Sequence, residues 1–353
     1  MELLRLAGLP GVGKSTTAWA VANRFAADGI ATAYIDIDQL GMCYPAPVDD
    51  PDRWVLKERA LAAVAREFRR AGVERMVVSG VARPDRPPAL VPGVEVRSLW
   101  LRATESTRRA RLRGRGDSDD QVAASLTAGS LEESRIDTAW EQLATDGLSE
   151  AETVTAVLAR RAAASTLMSG ADVETSTDTA DRMLWLTGPR LAGASRIGWE
   201  IVAEEWSRDR RTGFFDLAQL SFVWNVADTG VANLAAVIRE FRRVGTDQFV
   251  VVAPLEVDPL TVRAALPASD VAFVRLASAA ADLADRARAR QRGEGPRLAG
   301  DDLLGAGDAT LADVLRSAAA QSALPRRDGE LIVRAAGLSP AEAASAVRAV
   351  ASW

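Results

Sequence analysis

The sequence feature that most constrains the fold is a glycine-rich segment near the N-terminus, Gly8-Leu9-Pro10-Gly11-Val12-Gly13-Lys14-Ser15. It fits the pattern G-x-x-x-x-G-K-[ST] of phosphate-binding loops. A short apolar strand at residues 2–7 precedes it, and a helix opens at Ser15, so strand, loop and helix follow one another in the order that such a loop requires. The chain must therefore place this turn between a buried strand and a helix.

The residue types of the loop fit phosphate binding. Its glycines lack a Cβ, so the backbone can turn with positive φ and aim N–H groups at phosphate oxygens, where a helix N-terminus adds favourable charge. Lys14 supplies a point charge to the terminal phosphates, and the Ser15 hydroxyl is a ligand type that Mg²⁺ accepts. A turn that binds nothing is the alternative, which the complete match disfavours. We predict nucleotide contacts for Gly8, Gly11, Val12, Gly13, Lys14, Ser15 and Thr16.

Length and composition limit the remaining possibilities. A chain of 353 residues favours two domains. A net charge of −5 argues against a general nucleic-acid or membrane-surface binder. Cys43 is the only cysteine and there is no histidine, which excludes a disulfide framework, a cysteine-cluster metal site and histidine catalysis, so carboxylates must do any acid–base work. Without a charged leader or an 18-residue apolar run, we expect a cytoplasmic protein.

Strands and helices alternate along the first half. Residues 31–38 form a predicted buried strand that ends at Asp36 and Asp38, and a second strand at 75–79 ends at Ser79 and Gly80. An arginine-dense helix is predicted at 108–116. This alternation predicts a doubly wound α/β fold with a parallel sheet, and the carboxyl ends of its strands should bring Asp36 and Asp38 close to the loop.

The second half repeats the first. Residues 61–72 read LAAVAREFRRAG and residues 234–245 read LAAVIREFRRVG. The same alignment pairs the loop with residues 188–195 and Asp36 with Asp216. A repeat of about 180 residues indicates tandem domains rather than a solenoid. We therefore predict two tandem domains, each a doubly wound parallel sheet flanked by helices, over 1–165 and 182–353, joined by a linker at 166–181.

On the loop, the Asp-x-Asp after the second strand and the arginine-rich helix, the first half resembles the small-molecule kinases of the P-loop superfamily, which include the shikimate, gluconate and adenylylsulfate kinases and chloramphenicol phosphotransferase. The resemblance implies an ATP- and Mg²⁺-dependent transfer of phosphate to a hydroxyl of a small metabolite or natural product. The chain departs from the shikimate and gluconate kinases in their substrate-recognition loops, so the acceptor stays open.

The resemblance also implies roles for individual residues. Asp36, with Ser15, would hold Mg²⁺, and Asp38 would orient or deprotonate the acceptor hydroxyl. The remaining assignments are Lys14, Arg109 and Arg113 as catalytic groups, with Arg111 beside them, and Ser79, Gly80 and Arg83 as substrate contacts. The requirements of phosphoryl transfer agree, since positioning and charge neutralisation supply most of its catalysis. A solvated helix face is an equal alternative for the arginines. Trp54 and Trp100 are candidates to line a substrate pocket, although core packing is the more common role for such residues.

The second copy has lost the residues that carry this chemistry. Ala194 stands at the position of Lys14 and Ala218 at that of Asp38. The strand end Val251-Val252-Ala253-Pro254 replaces the Ser79-Gly80 backbone donors with a proline, which has no N–H. We expect a non-catalytic copy that pairs with the first as an intramolecular pseudo-dimer. A divergent nucleotide site built on Arg190 and the arginines of 286–292 is the alternative for this half.

Two other classes of function remain open from the sequence. One is a nucleotide-binding regulatory or assembly protein with weak ATPase activity, in which the second half engages a partner. The other is a kinase directed at RNA, which the net acidity disfavours.

Overall fold

The computed structural model describes residues 1–133, 135–160, 165–166, 180–294 and 301–353. In the first half of the sequence the elements are β1 (Glu2–Gly8), α1 (Lys14–Ala27), β2 (Thr32–Asp36), a 3-10 helix (Ile37–Gly41), β3 (Cys43–Tyr44), α2 (Trp54–Arg70), β4 (Arg75–Ser79), β5 (Glu95–Arg102), α3 (Glu105–Gly114), α4 (Asp119–Glu133), β6 (Glu141–Ala144), α5 (Glu150–Ala159) and β7 (Ser165–Thr166).

The second half follows the same plan. Its elements are β8 (Asp181–Thr187), α6 (Ala194–Ser207), β9 (Thr212–Asp216), a 3-10 helix (Leu217–Leu220), β10 (Phe222–Trp224), α7 (Gly230–Arg243), β11 (Gln248–Val252), α8 (Pro259–Ala265), β12 (Ser269–Ala277), α9 (Ala280–Gln291), α10 (Asp308–Ser322), β13 (Leu331–Arg334) and α11 (Pro340–Ala351). None of the helices in the described ranges is both long enough and apolar enough to cross a membrane.

The chain divides into two compact units that are not continuous in sequence. Unit 1 comprises Met1–Gly41, Asp52–Thr175 and Ser221–Thr229, and unit 2 comprises Met42–Pro51, Ser176–Leu220 and Gly230–Trp353. Each unit therefore contains a short segment from the opposite half of the sequence. This differs from the contiguous domains expected at 1–165 and 182–353, and residues 167–179 of the linker expected at 166–181 lie outside the described residues.

Each unit is built on a mostly parallel sheet. The sheet of unit 1 has the order β10-β2-β4-β1-β5-β6, with β7 paired to β5, and the sheet of unit 2 has the order β13-β12-β8-β11-β9-β3. Only the pairings of β10 with β2, β7 with β5 and β3 with β9 are antiparallel among the described strands. The predicted α/β class is confirmed, whereas an entirely parallel sheet was wrong because one edge of each sheet, at β10 in unit 1 and at β3 in unit 2, is closed by a strand that runs the other way.

The central strands explain where the core lies. In β1 every residue from Leu3 to Gly8 is buried, as expected for a parallel strand covered on both faces. Arg5 is the one charged residue among these buried positions, and its guanidinium donates to both carboxylate oxygens of Glu58 on α2, at 2.8 and 2.7 Å. Trp100 is also buried and packs edge-on against Trp140 with ring centroids 5.3 Å apart, so it belongs to the core rather than to a pocket.

Candidate phosphoryl-transfer site

The glycine-rich loop has the conformation that its sequence predicts. It joins the carboxyl end of β1 to α1, and Gly13 caps the helix with φ +97°, a conformation that is costly for other residues. The backbone N–H of Thr17 donates to the Gly13 carbonyl at 2.9 Å and closes the first turn. The Val12 side chain is buried and Thr16 is exposed on the first turn. The N-terminus of α1 therefore follows the carboxyl end of β1 across this loop.

Lys14 folds back over this loop. Its Nζ donates to the Leu9 carbonyl at 3.1 Å. Burial lowers the pKa of Lys14 to about 8, against the raising effect of the Asp36 and Asp38 carboxylates, and the charges of nearby arginines lower it further. The ammonium is therefore poorly solvated where it stands, and an anion beside it would stabilise its charged form.

The Asp36 carboxylate is the centre of a hydrogen-bond network at the end of β2. Its Oδ2 accepts from the hydroxyls of Ser15, at 3.4 Å, and Ser79, at 3.1 Å. The Ser79 hydroxyl also lies 2.9 Å from the phenolic oxygen of Tyr34. Burial, followed by the neighbouring Asp38 charge, raises the pKa of Asp36. The structure thus brings together Ser15, Asp36 and Ser79, which are far apart in the sequence.

Asp38 lies beyond the strand, on the 3-10 helix of Ile37–Gly41, rather than on the longer strand predicted from the sequence. Its backbone N–H donates to Asp36 Oδ1 at 3.0 Å, which turns the chain and sets the two carboxylates side by side. The Lys57 ammonium, buried on α2, donates to Asp38 Oδ1 at 2.8 Å. Lys57 also stands 5.0 Å from the centroid of the Trp54 ring, so Trp54 supports this ion pair.

Gly80 completes the acidic side of the site. It has φ +129°, and a Cβ on it would stand 2.7 Å from the Ile37 side chain and 3.0 Å from Asp36 Oδ1. The same Cβ position is 3.5 Å from Asp38 Oδ2. A side chain at this position would therefore collide with Ile37 and crowd the Asp36 carboxylate, so this close approach of the two segments requires glycine.

The arginine-rich helix α3 contacts the loop through Arg108 and Arg111 rather than through Arg109 and Arg113. Arg111 donates to the Val12 carbonyl at 3.0 Å, and to the Thr145 hydroxyl and carbonyl at 2.9 and 2.8 Å. Arg108, which is buried, donates through Nε to the Pro10 carbonyl at 2.9 Å. Residues three apart share a helix face, so Arg108 and Arg111 approach the loop together.

The arginines singled out as catalytic lie elsewhere on α3. Arg109 is paired with Glu105 at 2.5 Å and Arg113 with Asp119 at 2.9 Å, and all four side chains are exposed. The sequence signal that could have separated the two sets is Leu112, the one large apolar side chain of α3, which is buried four residues after Arg108.

Arg83, expected to contact substrate, is half exposed in the segment after β4 and is paired with Asp85 at 2.8 Å. Among the residues that the structure describes, no three Cys, Asp or Glu side chains gather as a metal-ligand set.

Unit 2 has a similar loop with different chemistry. Gly193 caps α6 with φ +88°, and the Ser195 hydroxyl donates to Asp216 Oδ2 at 2.8 Å, the counterpart of the Ser15 and Asp36 pair. Burial raises the pKa of Asp216. Ala194 occupies the position of Lys14, and Leu191, with φ +72°, occupies that of Gly11. The polar framework of the loop is kept, while its cation is absent.

The arginines of unit 2 are held by the protein itself. Arg286 donates to the carbonyls of Leu191 and Ala192 at 3.1 and 2.8 Å, as Arg111 does to Val12. Arg190, a possible substitute for the lysine, is paired with Asp302. A cavity of about 360 Å³ lies beside this loop and is lined by Ala192, Gly193, Arg196, Ile197, Arg286, Ala335, Leu338, Pro340 and Ala343.

Residues 5–137 match the family model described as an AAA domain, a stretch that contains the loop, the aspartate pair and α3. The match confirms that the first half resembles the P-loop superfamily. No curated protein matches the chain.

Solved structures with a similar fold include an unliganded sugar kinase from Janibacter sp. HTCC2649, with 18% identity over 45% of this chain and 92% of that one, at a TM-score of 0.32. A gluconokinase from Sinorhizobium meliloti 1021 has 23% identity over 45% and 90%, at 0.31. The tunicamycin resistance protein of Deinococcus radiodurans has 13% identity over 48% and 94%, at 0.30. At these scores none of them supports a substrate for this chain.

Proposed function

We propose that the chain is an ATP-dependent phosphotransferase that acts on a hydroxyl of a small metabolite or natural product through the site of unit 1. The observation that carries the proposal is the convergence of Lys14, the Ser15–Asp36 pair and Asp38 at the carboxyl ends of β1 and β2. A phosphate cradle, a cation and two carboxylates within one site are the parts that phosphoryl transfer needs.

The donor set at the end of β2 fits Mg²⁺. A serine hydroxyl and a carboxylate are hard oxygen ligands, and the Asp36 carboxylate is buried with a raised pKa, so a cation beside it would stabilise its charged form. Ser15 and Asp36 would hold the ion, which would neutralise charge on the phosphates of ATP. Lys14 would contact the terminal phosphates.

Asp38 is placed to act on the acceptor. Lys57 holds its Oδ1, and its Oδ2 lies 3.5 Å from the place that a Cβ on Gly80 would occupy. In the proposed step the acceptor oxygen bonds to the γ-phosphorus, the bond from that phosphorus to the bridging oxygen breaks, and ADP leaves. Asp38 takes the proton of the acceptor hydroxyl. Ser79 and Gly80 would line the acceptor side, with Arg83 further out on the following segment.

The arginines of α3 divide into two groups in this proposal. Arg108 and Arg111 would position the loop, because they donate to its carbonyls at Pro10 and Val12 and would leave its N–H groups to the phosphates. Arg109 and Arg113 would act on the transferred phosphoryl group only after leaving Glu105 and Asp119, and their catalytic role stays a prediction.

We further propose that unit 2 is a duplicated, non-catalytic copy, paired with unit 1 as a pseudo-dimer. The common strand order β2-β4-β1-β5-β6 and β9-β11-β8-β12-β13 supports the duplication, as do the matching capping boxes at Ser149 and Ser339. The loss of the lysine and of the second aspartate supports the absence of catalysis.

ATP consumption with and without a pool of candidate metabolites tests the proposal. We expect ADP to accumulate only when an acceptor is present, together with a product heavier than the acceptor by one phosphoryl group. ATP binding without any phosphorylated product across the pool would instead support a nucleotide-dependent regulator. Single-compound assays and thermal-shift screening would then identify the acceptor.

A further inference from the structure

The edge of β2 in unit 1 is closed by a segment from the second half of the sequence. β10 pairs with β2 in antiparallel register, with Phe222 opposite Tyr34 and Trp224 opposite Thr32. Without β10, the outer N–H and C=O groups of β2 would form an open edge. The Thr32 and Tyr34 side chains, which are no more than 1% exposed, belong to this strand.

Aromatic packing holds the same segment against α1. The Trp19 ring on α1 lies edge-on to Tyr34, Phe222 and Trp224, with centroid distances of 5.2, 4.9 and 5.3 Å. Asn225, at φ +60°, donates from its side-chain amide to the carbonyls of Ala26 and Ile30 at 3.0 and 3.1 Å. The segment therefore contacts both the strand that ends at Asp36 and the helix that begins at Lys14.

A reciprocal exchange closes the sheet of unit 2. β3, from the first half, pairs antiparallel with β9, with Cys43 opposite Gly213 and Tyr44 opposite Thr212. Tyr44 packs on Trp206 with ring centroids 4.7 Å apart, and Arg211 donates to the Pro45 carbonyl at 3.0 Å. Cys43 and Tyr44 occupy the positions that Val223 and Trp224 occupy in the repeat. The two exchanges are thus equivalent, as between two copies of one protein that trade edge strands.

We propose that Ser221–Thr229, defined here as the donated segment, is an integral part of unit 1, and that the second half of the chain supplies it to fix β2 and α1. The edge of β2 is accordingly completed by an antiparallel strand whose aromatic residues, Phe222 and Trp224, pack against Trp19. This gives the non-catalytic half a direct structural part in the site. The expected effect of the donated segment on affinity for ATP rests on the proposed function, whereas its expected effect on the stability of β2 does not.

The test is amide hydrogen exchange on the full-length chain. Phe222→Ala combined with Trp224→Ala removes two aromatic partners of Trp19. We expect the protection of β2 (Thr32–Asp36) to fall by about tenfold or more, because exchange follows the free energy of local opening. Affinity for a non-hydrolysable ATP analogue should fall as well. Tyr44→Ala is the matched control, for which we expect lost protection in β9 with β2 unchanged.

A milder variant separates local from global effects. Asn225→Gly tolerates the positive φ while removing two hydrogen bonds, one to Ala26 in the last turn of α1 and one to Ile30 just before β2. It should increase exchange in β2 and the last turn of α1 only. Unchanged β2 protection in the double variant, or a loss in Asn225→Gly that is equal across both sheets, would overturn the proposal. Altered β2 protection in a protein that binds no ATP would sustain the proposal and reject the proposed function instead.

Discussion

At the scale of the residue, the proposed role of Lys14 would couple nucleotide binding to pH. Its folded pKa of about 8 lies below the ordinary value of 10.5, so the unfolded chain binds more protons between these values. The free energy of unfolding therefore rises with pH through that window. Below the window the full cost of burying the charged ammonium is present. A phosphate oxygen beside the ammonium should reverse the shift, so binding should draw in a proton.

We predict net proton uptake when an ATP analogue binds at about pH 8.5, with affinity falling as pH rises further above the pKa of Lys14. Calorimetry in two buffers of different ionisation enthalpy measures the uptake. Lys14→Met is the control, which should bind weakly and take up no proton. Equal proton uptake in both proteins would assign the effect to another group.

The two aspartates should separate in their kinetic effects. Asp38→Asn is nearly isosteric but cannot take the acceptor proton, so we expect kcat to fall by about a hundredfold with little change in affinity for ATP. Asp36→Asn should instead raise the Mg²⁺ concentration needed for half-maximal turnover. Steady-state kinetics with Mg²⁺ titrations distinguishes them, and a loss confined to nucleotide affinity in both variants would reject the general-base role.

At the scale of elements, the two faces of α3 predict different outcomes. Arg111→Ala removes three hydrogen bonds that join α3 to the loop and Thr145, so we expect it to lower the free energy of unfolding by about 1–3 kcal/mol and to reduce turnover. Arg109→Ala removes only an exposed pair with Glu105, worth about 0.5 kcal/mol or less.

Thermal unfolding and turnover of the two α3 variants check this. If Arg109→Ala keeps full stability but loses turnover, Arg109 acts on the phosphoryl group as the sequence suggested. If Arg111→Ala behaves like wild type, the loop does not depend on α3.

Elements with strong local signals could be predicted from the sequence. The strand at 75–79 was predicted with its observed bounds, and the helix predicted to open at Ser15 is observed as α1 from Lys14. β3 and β10 could not be predicted, because strands of two and three residues have no period to recognise and their partners lie about 170 to 190 residues away. The face of α3 that contacts the loop could not be predicted either, because the sequence of α3 has arginines on more than one side of the helix.

The candidate site shows the same division. The motif fixed the loop and Lys14, and the ends of the strands indicated Asp36, Asp38 and Ser79. Lys57 was not singled out as a site residue, because nothing local marks a helix residue as the partner of an aspartate 19 positions earlier. Such contacts arise from how α2 packs on the 3-10 helix, which only the tertiary structure defines.

At the scale of the whole molecule, the proposed duplication with a non-catalytic second copy predicts one nucleotide site per chain. Unit 2 lacks the lysine, and its Arg190 is held by Asp302. Calorimetric titration of the intact protein with an ATP analogue should therefore give a stoichiometry of about one, by the loss of the main phosphate contact in the second loop. A stoichiometry of two would mean that the cavity beside Arg286 also accepts a nucleotide.

The most direct test of the central claim is transfer of the γ-phosphoryl group of labelled ATP to the identified acceptor, compared between the wild-type chain and Lys14→Ala. Lys14 lies in the loop rather than in the core, so the variant should fold, which circular dichroism can verify. We predict that transfer falls by about a hundredfold or more, the effect of losing about 3 kcal/mol of transition-state stabilisation. Transfer at a near wild-type rate in the folded variant would contradict the assignment of the site.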